Sequence, residues 1–466
     1  MRGRWRRPPT GGLMAQEINQ KIILFLSTMN AKAQARAKKD ADAGDDYVCP
    51  DKTTVRGLQT NEAPVKYLLN THKNVSEILC FVTDEARETA WDRFQATVRA
   101  TGSKAKCVDI KFEANTPIQE ILPDILNRTH KGDEILLEIT GGFRDTIMYL
   151  VLISRALSYK GVKTTCAVYS SYQTYEVKDV SELLPIFDLI DGMQNLTSFG
   201  NVAALRRYYK DRDHSGKIDD LLNAVDELWG CITLCRSSQV PDKLKAFNKA
   251  LKGAEECGDP LLEALLPAFR DKFGDEMTLP DLIRWCAESD MLQQALTLYR
   301  ERIPAYIMNE RTDILAVKPN VQPLNMNNYS KYETEGEARF CTQFLNIGHS
   351  WYAGVYGNDA YKAAKEQEGD YLITLKHFEK ALKQSDFKPL CTVEQLRTIT
   401  MDFLYIRALR NMVNHASDDT KKDQRALNKY LEKEGHYILP EKTTATDVKN
   451  AILNGLNNLK LQPQKA

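Results

Sequence analysis

A surplus of either charge is missing from this chain. Lys and Arg total 63 and Asp and Glu total 63, so the net charge is zero. That excludes bulk attraction to nucleic acid or to a membrane surface, and any anion site must be built locally. Long apolar runs are also missing. No stretch approaches the roughly 20 apolar residues that span a bilayer, so no membrane partner is expected. Histidine is scarce, with seven residues in 466. His72, His130, His214, His349, His377 and His436 lack metal-ligand spacing, and no metal is expected. The stretch "DRDHSGKIDDLL" (211–222) imitates a calcium loop. It carries Leu222 where a bidentate glutamate is needed, so it reads as a polar turn. The ten cysteines are scattered. Only Cys231 and Cys235 stand one helical turn apart, with no second pair to complete a zinc site. Without a disulfide pattern they read as reduced thiols of a cytoplasmic protein. The opening "MRGRWRRPPTGG" is basic but is not followed by the apolar core of a signal peptide. It reads as a disordered tail (1–13), with Met14 the expected natural start.

What is present is an ordinary globular composition, 43% hydrophobic and 27% charged, in a chain long enough for two or three domains. The first two hundred residues alternate between two patterns. "KIILFL" (21–26), "EILCFVT" (77–83), "KCVDIKF" (106–112), "EILLEIT" (134–140) and "VKTTCAVYS" (162–170) are short apolar runs of the kind buried on both faces of a sheet. Between them lie helical stretches. One begins after a Thr116 cap with Pro117 at the first position and is kinked at Pro123; another ends at Gly161. This alternation predicts a parallel, doubly wound α/β sheet of the Rossmann-like class over 14–200. Beyond about Gly200 the strand-like runs stop and helical periodicity takes over. A helical connector is expected over 201–260 and an all-α domain over 261–466. A Pro/Asn-rich segment at 315–336 is expected to be an exposed, mobile loop. The aromatic, Gly-rich stretch "GHSWYAGVYG" (348–357) predicts core packing or a dimer surface.

In an open α/β sheet, ligands bind beyond the carboxyl ends of the strands. Three strand ends here are polar. "STMN" (27–30) follows the first run, supplying Thr28 and Asn30. Gly141, Gly142 and Arg144 follow Thr140, and Ser170 closes the fifth run. The glycines allow a ligand close to the backbone, and the next helix N-terminus with Arg144 favours an anion such as phosphate. A further helix start, "LQTNEAP" (58–64), is capped by Thr60 or Asn61. This is not a G-x-G-x-x-G fingerprint, because the glycine pair follows the fourth strand and has no third glycine.

Near the C-terminus, "TVEQLRTITMDFLYIRALRNMVNHA" opens with a capping box from Thr392 to Gln395. Leu396, Ile399, Phe403, Ile406, Leu409 and Val413 recur at spacings of three and four and mark the buried stripe. Arg407, Arg410, Asn411 and Asn414 fall on another arc. Asn411 and His415 are four apart and share a face within reach of Arg410. A basic helix end that offsets the macrodipole explains any one of these residues. It explains the two asparagines, weak helix formers, less well.

"RNMVNH" (410–415) resembles the Arg-polar-x-x-x-His signature of HEPN ribonucleases, and "EITGGFRD" (138–145) resembles the ligand motif of CARF domains. In that order on one chain, the two motifs resemble the CARF–HEPN effectors of type III CRISPR systems. The resemblance implies a homodimer in which two HEPN domains pair, with Arg410, Asn411 and His415 as the catalytic set for metal-independent cleavage of single-stranded RNA. It implies no cofactor but an allosteric activator, cyclic tetra- or hexa-adenylate. That ligand would be held by Thr28, Asn30, Thr60, Asn61, Thr140, Gly141, Gly142, Arg144 and Ser170. Two other readings fit less. A ligand-sensing transcriptional regulator requires a helix-turn-helix with a basic recognition helix, and none is clear. In a non-catalytic scaffold, "RNMVNH" would be only a helix end.

Overall fold

The structure, a computed structural model, describes residues 18–460 except 41, 114, 143–144, 330–333, 345–346, 369, 416–421 and 434–443. The chain divides into two compact units, residues 1–188 and 189–466.

In the first unit the apolar runs form β1 (Gln20–Phe25), β4 (Val75–Val82), β5 (Lys106–Lys111), β6 (Glu134–Glu138) and β7 (Lys163–Ser171). They lie side by side, all parallel, in the order β7-β6-β1-β4-β5. Successive residues of β1 enter different cores. Ile22 and Leu24 pack on one face of the sheet, while Ile23 and Phe25 pack on the other. Side chains alternate along a strand, so burial on both faces produces an unbroken apolar run. Helices cover the two faces: α1 (Ala31–Lys39), α2 (Glu62–Thr71), α3 (Asp92–Ala100), α4 (Ile118–Arg128) and α5 (Thr146–Tyr159).

The sheet is mixed rather than wholly parallel. Three short strands extend it beyond β7: β2 (Asp45–Val48), β3 (Thr54–Gly57) and β8 (Glu176–Asp179), giving the order β3-β2-β8-β7-β6-β1-β4-β5. β8 returns antiparallel to β7, and β3 antiparallel to β2. The connections leave no room for a crossover helix, since four residues join β7 to β8 and five join β2 to β3. Lys52 and Tyr175, in these turns, take positive φ.

Two predicted caps are corrected. Thr116 does not cap α4. Its Oγ1 accepts from the Glu113 N–H at 2.8 Å, and Pro117 is itself the N-cap. Asn61 stands at the N-cap of α2, but its side chain makes no capping bond.

The second unit is helical around one large apolar core. Its helices include α6 (Leu292–Asn309), α7 (Ile347–Tyr356), α8 (Asp370–Lys376), α9 (Phe378–Gln384), α10 (Val393–His415) and α11 (Ala445–Lys460). The backbones of α7 and α8 touch at Gly348, where an added Cβ would stand 2.3 Å from the Thr374 Cα. Within 315–336, Leu315–Val317 forms β9, which pairs antiparallel with β10 (Phe387–Pro389). Most of 318–329 is exposed or half-buried. Arg339, 2% exposed, fastens this segment by binding the Gln322 carbonyl, Glu335 and Asp386. In the calcium-like stretch, Ser215 caps the helix Gly216–Thr233 by accepting from the Lys217 N–H. All ten cysteines are free thiols. No described helix is long and apolar enough to cross a membrane.

Candidate functional site

The sheet order reverses direction at β1, which has β6 on one side and β4 on the other. The polar ends of β1 and β6 therefore meet where crossovers diverge, the usual place for a ligand crevice. There hydrogen bonds bring Thr60, Asn61, Thr140 and Ser170 together, and Gly141 packs closely against Asn61. Asn61 is the hub and is fully buried. Its Nδ2 donates to the Phe25 carbonyl at 3.0 Å and to Glu138 Oε2. Its Oδ1 accepts from the Ser27 N–H at 2.9 Å. Gln59 closes the loop, donating from Nε2 to the Ser27 carbonyl at 2.9 Å and accepting from the Asn61 N–H at 2.8 Å. The Thr140 N–H donates to Glu138 Oε1 at 2.8 Å. The Ser170 N–H donates to Thr140 Oγ1 at 2.8 Å, and Ser170 Oγ donates to the Thr60 carbonyl at 2.9 Å.

The glycines are explained by this network. A Cβ on Gly141 would lie 1.9 Å from the Phe25 carbonyl oxygen and 2.6 Å from Asn61 Nδ2. Gly142 has φ +91°, in the left-handed region that suits glycine, and a Cβ there would lie 2.6 Å from Thr146 Oγ1. The close approach expected from "GG" is made to the protein's own backbone and side chains. Thr28 and Asn30 do not join the network. Both are exposed, and Asn30 Oδ1 accepts from the Ala33 N–H at 2.9 Å to cap α1. Arg144 lies outside the described residues.

Two participants escaped the sequence reading. Gln59 and Glu138 sit beside named residues, but nothing local marks them as partners of Asn61. Glu138 is fully buried, and burial pushes its carboxyl up to about 7, against the opposing bonds from Thr140 and Asn61. The acid is poised near neutrality at a strand end lined by half-buried Thr60 and Thr140 hydroxyls.

A cleft of about 900 Å³ opens between α1 and α3, bordered by Met29, Gln34, Lys38, Arg56, Lys66 and Thr89. Beneath it the buried Glu62 carboxylate accepts from Arg93 Nε at 2.6 Å and from the Leu58 N–H at 2.8 Å. Lys66 Nζ donates to the Arg56 carbonyl at 2.7 Å, and burial lowers its pKa.

In the helical unit, the capping box starts α10. Gln395 Oε1 accepts from the Thr392 N–H, and Thr392 Oγ1 accepts from the Gln395 N–H, both at 3.2 Å. Leu396, Ile399, Phe403, Ile406 and Leu409 are buried as their spacing predicts, whereas Val413 is 41% exposed. Periodicity shows which residues share a face, but not where the covering neighbours stop. Arg410 and Asn411 are half-buried one turn before the helix end. The Arg410 guanidinium is held loosely. Its Nη2 is 3.9 Å from Glu301 Oε1 on α6, and its buried Nε has no hydrogen-bond partner among the described residues. His415 closes the helix; its side chain, like that of Asn414, lies outside what the structure describes. Glu301 is a further participant the sequence reading missed.

Two turns earlier, α10 carries a buried acid. Asp402 accepts from Asn458 Nδ2 of α11 at 2.7 Å, and burial pushes its carboxyl up to about 6. Among the described residues no cluster of His, Cys, Asp and Glu could hold a metal ion. Neither a protein-family model nor a curated protein matches this sequence.

Proposed function

We propose that this chain is a cyclic-oligoadenylate-activated, metal-independent endoribonuclease of the CARF–HEPN kind, cleaving single-stranded RNA as a homodimer in type III CRISPR antiviral defence. The observation that carries the reading is Arg410. A guanidinium whose buried Nε has no hydrogen-bond partner among the described residues stands at the end of a long core helix, five residues before His415. A half-buried cation left without full pairing has a vacant role, and an RNA phosphate fits it. The Rossmann-like unit ahead of it, with its polar switch-point end and 900 Å³ cleft, supports a sensor role for the first unit.

In this reaction a His415 imidazole takes the proton from an RNA 2′-hydroxyl. The 2′-oxygen attacks the adjacent phosphorus, the P–O5′ bond breaks, and the imidazolium gives its proton to the leaving 5′-oxygen. The products are a 2′,3′-cyclic phosphate and a 5′-hydroxyl. Arg410 offsets the charge that develops on the phosphorane oxygens, and Asn411 orients the arginine or the phosphate. Two copies each supply one set.

The test is cleavage of labelled single-stranded RNA in EDTA, with and without cyclic tetra- or hexa-adenylate, beside His415→Ala. Activator-dependent cleavage that disappears in the variant is the expected result. Cleavage unchanged in His415→Ala would reject the site assignment.

A further inference from the structure

The "GHSWYAGVYG" stretch becomes α7, and one flank of that helix is left outside the core. Val355 is 51% exposed and Tyr356 57% exposed. The contact at Gly348 sets α7 against α8 so that its rings meet His377, the residue between α8 and α9. Trp351 stacks on His377 with centroids 5.0 Å apart and planes 30° apart. Tyr352 lies 5.3 Å from His377 and 4.8 Å from Tyr356. Burial, and after it the Lys380 charge, holds the His377 pKa below its usual value, which keeps this stack uncharged near neutrality.

Trp351 also walls a cleft of about 520 Å³. Ile347 and Ala381 give it an apolar lining, and Gln343, Ser350 and Gln384 add amides and a hydroxyl. The buried indole Nε1 of Trp351 has no hydrogen-bond partner among the described residues. Asp386 borders the cleft as well, but its carboxylate is already engaged by Arg339 at 2.6 Å. An indole beside amide donors and acceptors suits a planar heterocycle, which stacks on one and hydrogen-bonds the other. A second cleft, of about 420 Å³, lies on the opposite flank of α9. Ala381 and Gln384 face the first, while Glu379, Leu382 and Lys383 face the second. Three lysines, Lys318, Lys383 and Lys388, border it against the single acid Glu379. In a chain with no net charge, such a local excess of cations beside a ring-lined cleft is what a single-stranded nucleic acid needs. Bases take the π-faces and phosphates take the ammonium groups.

We infer that the two clefts flanking α9 form a docking track for single-stranded RNA, with Trp351 stacking a base and Lys383 and Lys388 holding phosphates. The choice of RNA rests on the ribonuclease reading; the stacking and the phosphate contacts rest on the clefts. The full-length protein is titrated in EDTA with a fluorescein-labelled 2′-O-methyl oligonucleotide of about ten nucleotides. Its blocked 2′-oxygen cannot attack. Lys383 and Lys388 are exposed, and so is Tyr356, so their substitution spares the fold. Lys383→Glu with Lys388→Glu weakens binding by about tenfold or more and flattens its salt dependence. Tyr356→Ala weakens it several-fold, and Trp351→Phe removes the tryptophan quenching that the oligonucleotide causes. With cleavable RNA the lysine variant raises KM and leaves kcat unchanged. Unchanged affinity and quenching in all these variants, with wild-type protein still cleaving RNA, overturns the docking track and leaves the nuclease reading standing. Variant-sensitive binding by a protein that cuts no RNA with either activator upholds the track and removes the nuclease reading.

Discussion

The end of β6 and the end of α10 each place a short polar motif after a buried apolar run, and they use their polar groups in opposite ways. At the strand end, Asn61 engages the Phe25 carbonyl, the Ser27 N–H and Glu138, and Gly141 leaves no space between them. At the helix end, among the described residues, Arg410 has one distant carboxylate and an Nε with no hydrogen-bond partner. The buried polar groups of the first network satisfy one another, which makes the motif part of the architecture. The second leaves hydrogen-bonding capacity unused, which is what a binding or reacting group requires. A conspicuous motif is therefore better judged by the partners its atoms already have than by its letters.

Three substitutions break or sharpen this contrast. The largest effect is expected from Gly141→Ala. No rotamer can relieve a Cβ placed 1.9 Å from a main-chain oxygen, so the first unit must shift its backbone, at a cost of about 3 kcal/mol or more. Urea unfolding measures this; a variant as stable as wild type would mean that the strand end is not packed as described. Arg410→Ala comes second and acts the other way. Activator-dependent RNA cleavage falls by about 100-fold or more, while stability changes by less than about 1 kcal/mol because only one long, half-exposed ion pair is lost. A large loss of stability with cleavage retained would turn Arg410 into a structural residue. The smallest effect is the pH response of Glu138→Gln. In the folded chain this carboxyl titrates near 7 rather than 4.5. Between those values the folded state holds a proton that the unfolded state has released, so the group lowers stability as pH rises through that window. Asp402 contributes with the same sign, between 3.8 and about 6. Glu138→Gln therefore flattens the fall of thermal stability, most clearly at the upper end of the window; an unchanged slope would place the Glu138 titration elsewhere.

The parallel strands were legible because burial on both faces writes itself as an apolar run. β2, β3 and β8 were not. "DDYV", "TVRG" and "EVKD" are short and polar, and main-chain pairing with neighbours chosen by the fold holds them in the sheet. At the candidate sites the motifs themselves were visible, but their partners were not. Asn61 meets Glu138 across 77 residues of sequence, and Arg410 faces Glu301 on another helix. The glycine pair signals a close approach without naming the neighbour, here the Phe25 carbonyl oxygen, because a sequence shows that space is needed without showing what fills it.

That neighbour has an evolutionary consequence. When a glycine makes room for a side chain, the opposing residue can shrink and release the constraint. Gly141 makes room for the main-chain oxygen of Phe25, which every amino acid carries. No compensating substitution at position 25 can open that space, so drift at position 141 is closed. Variation at this strand end is left to the exposed residues around it, Thr28 and Asn30 among them.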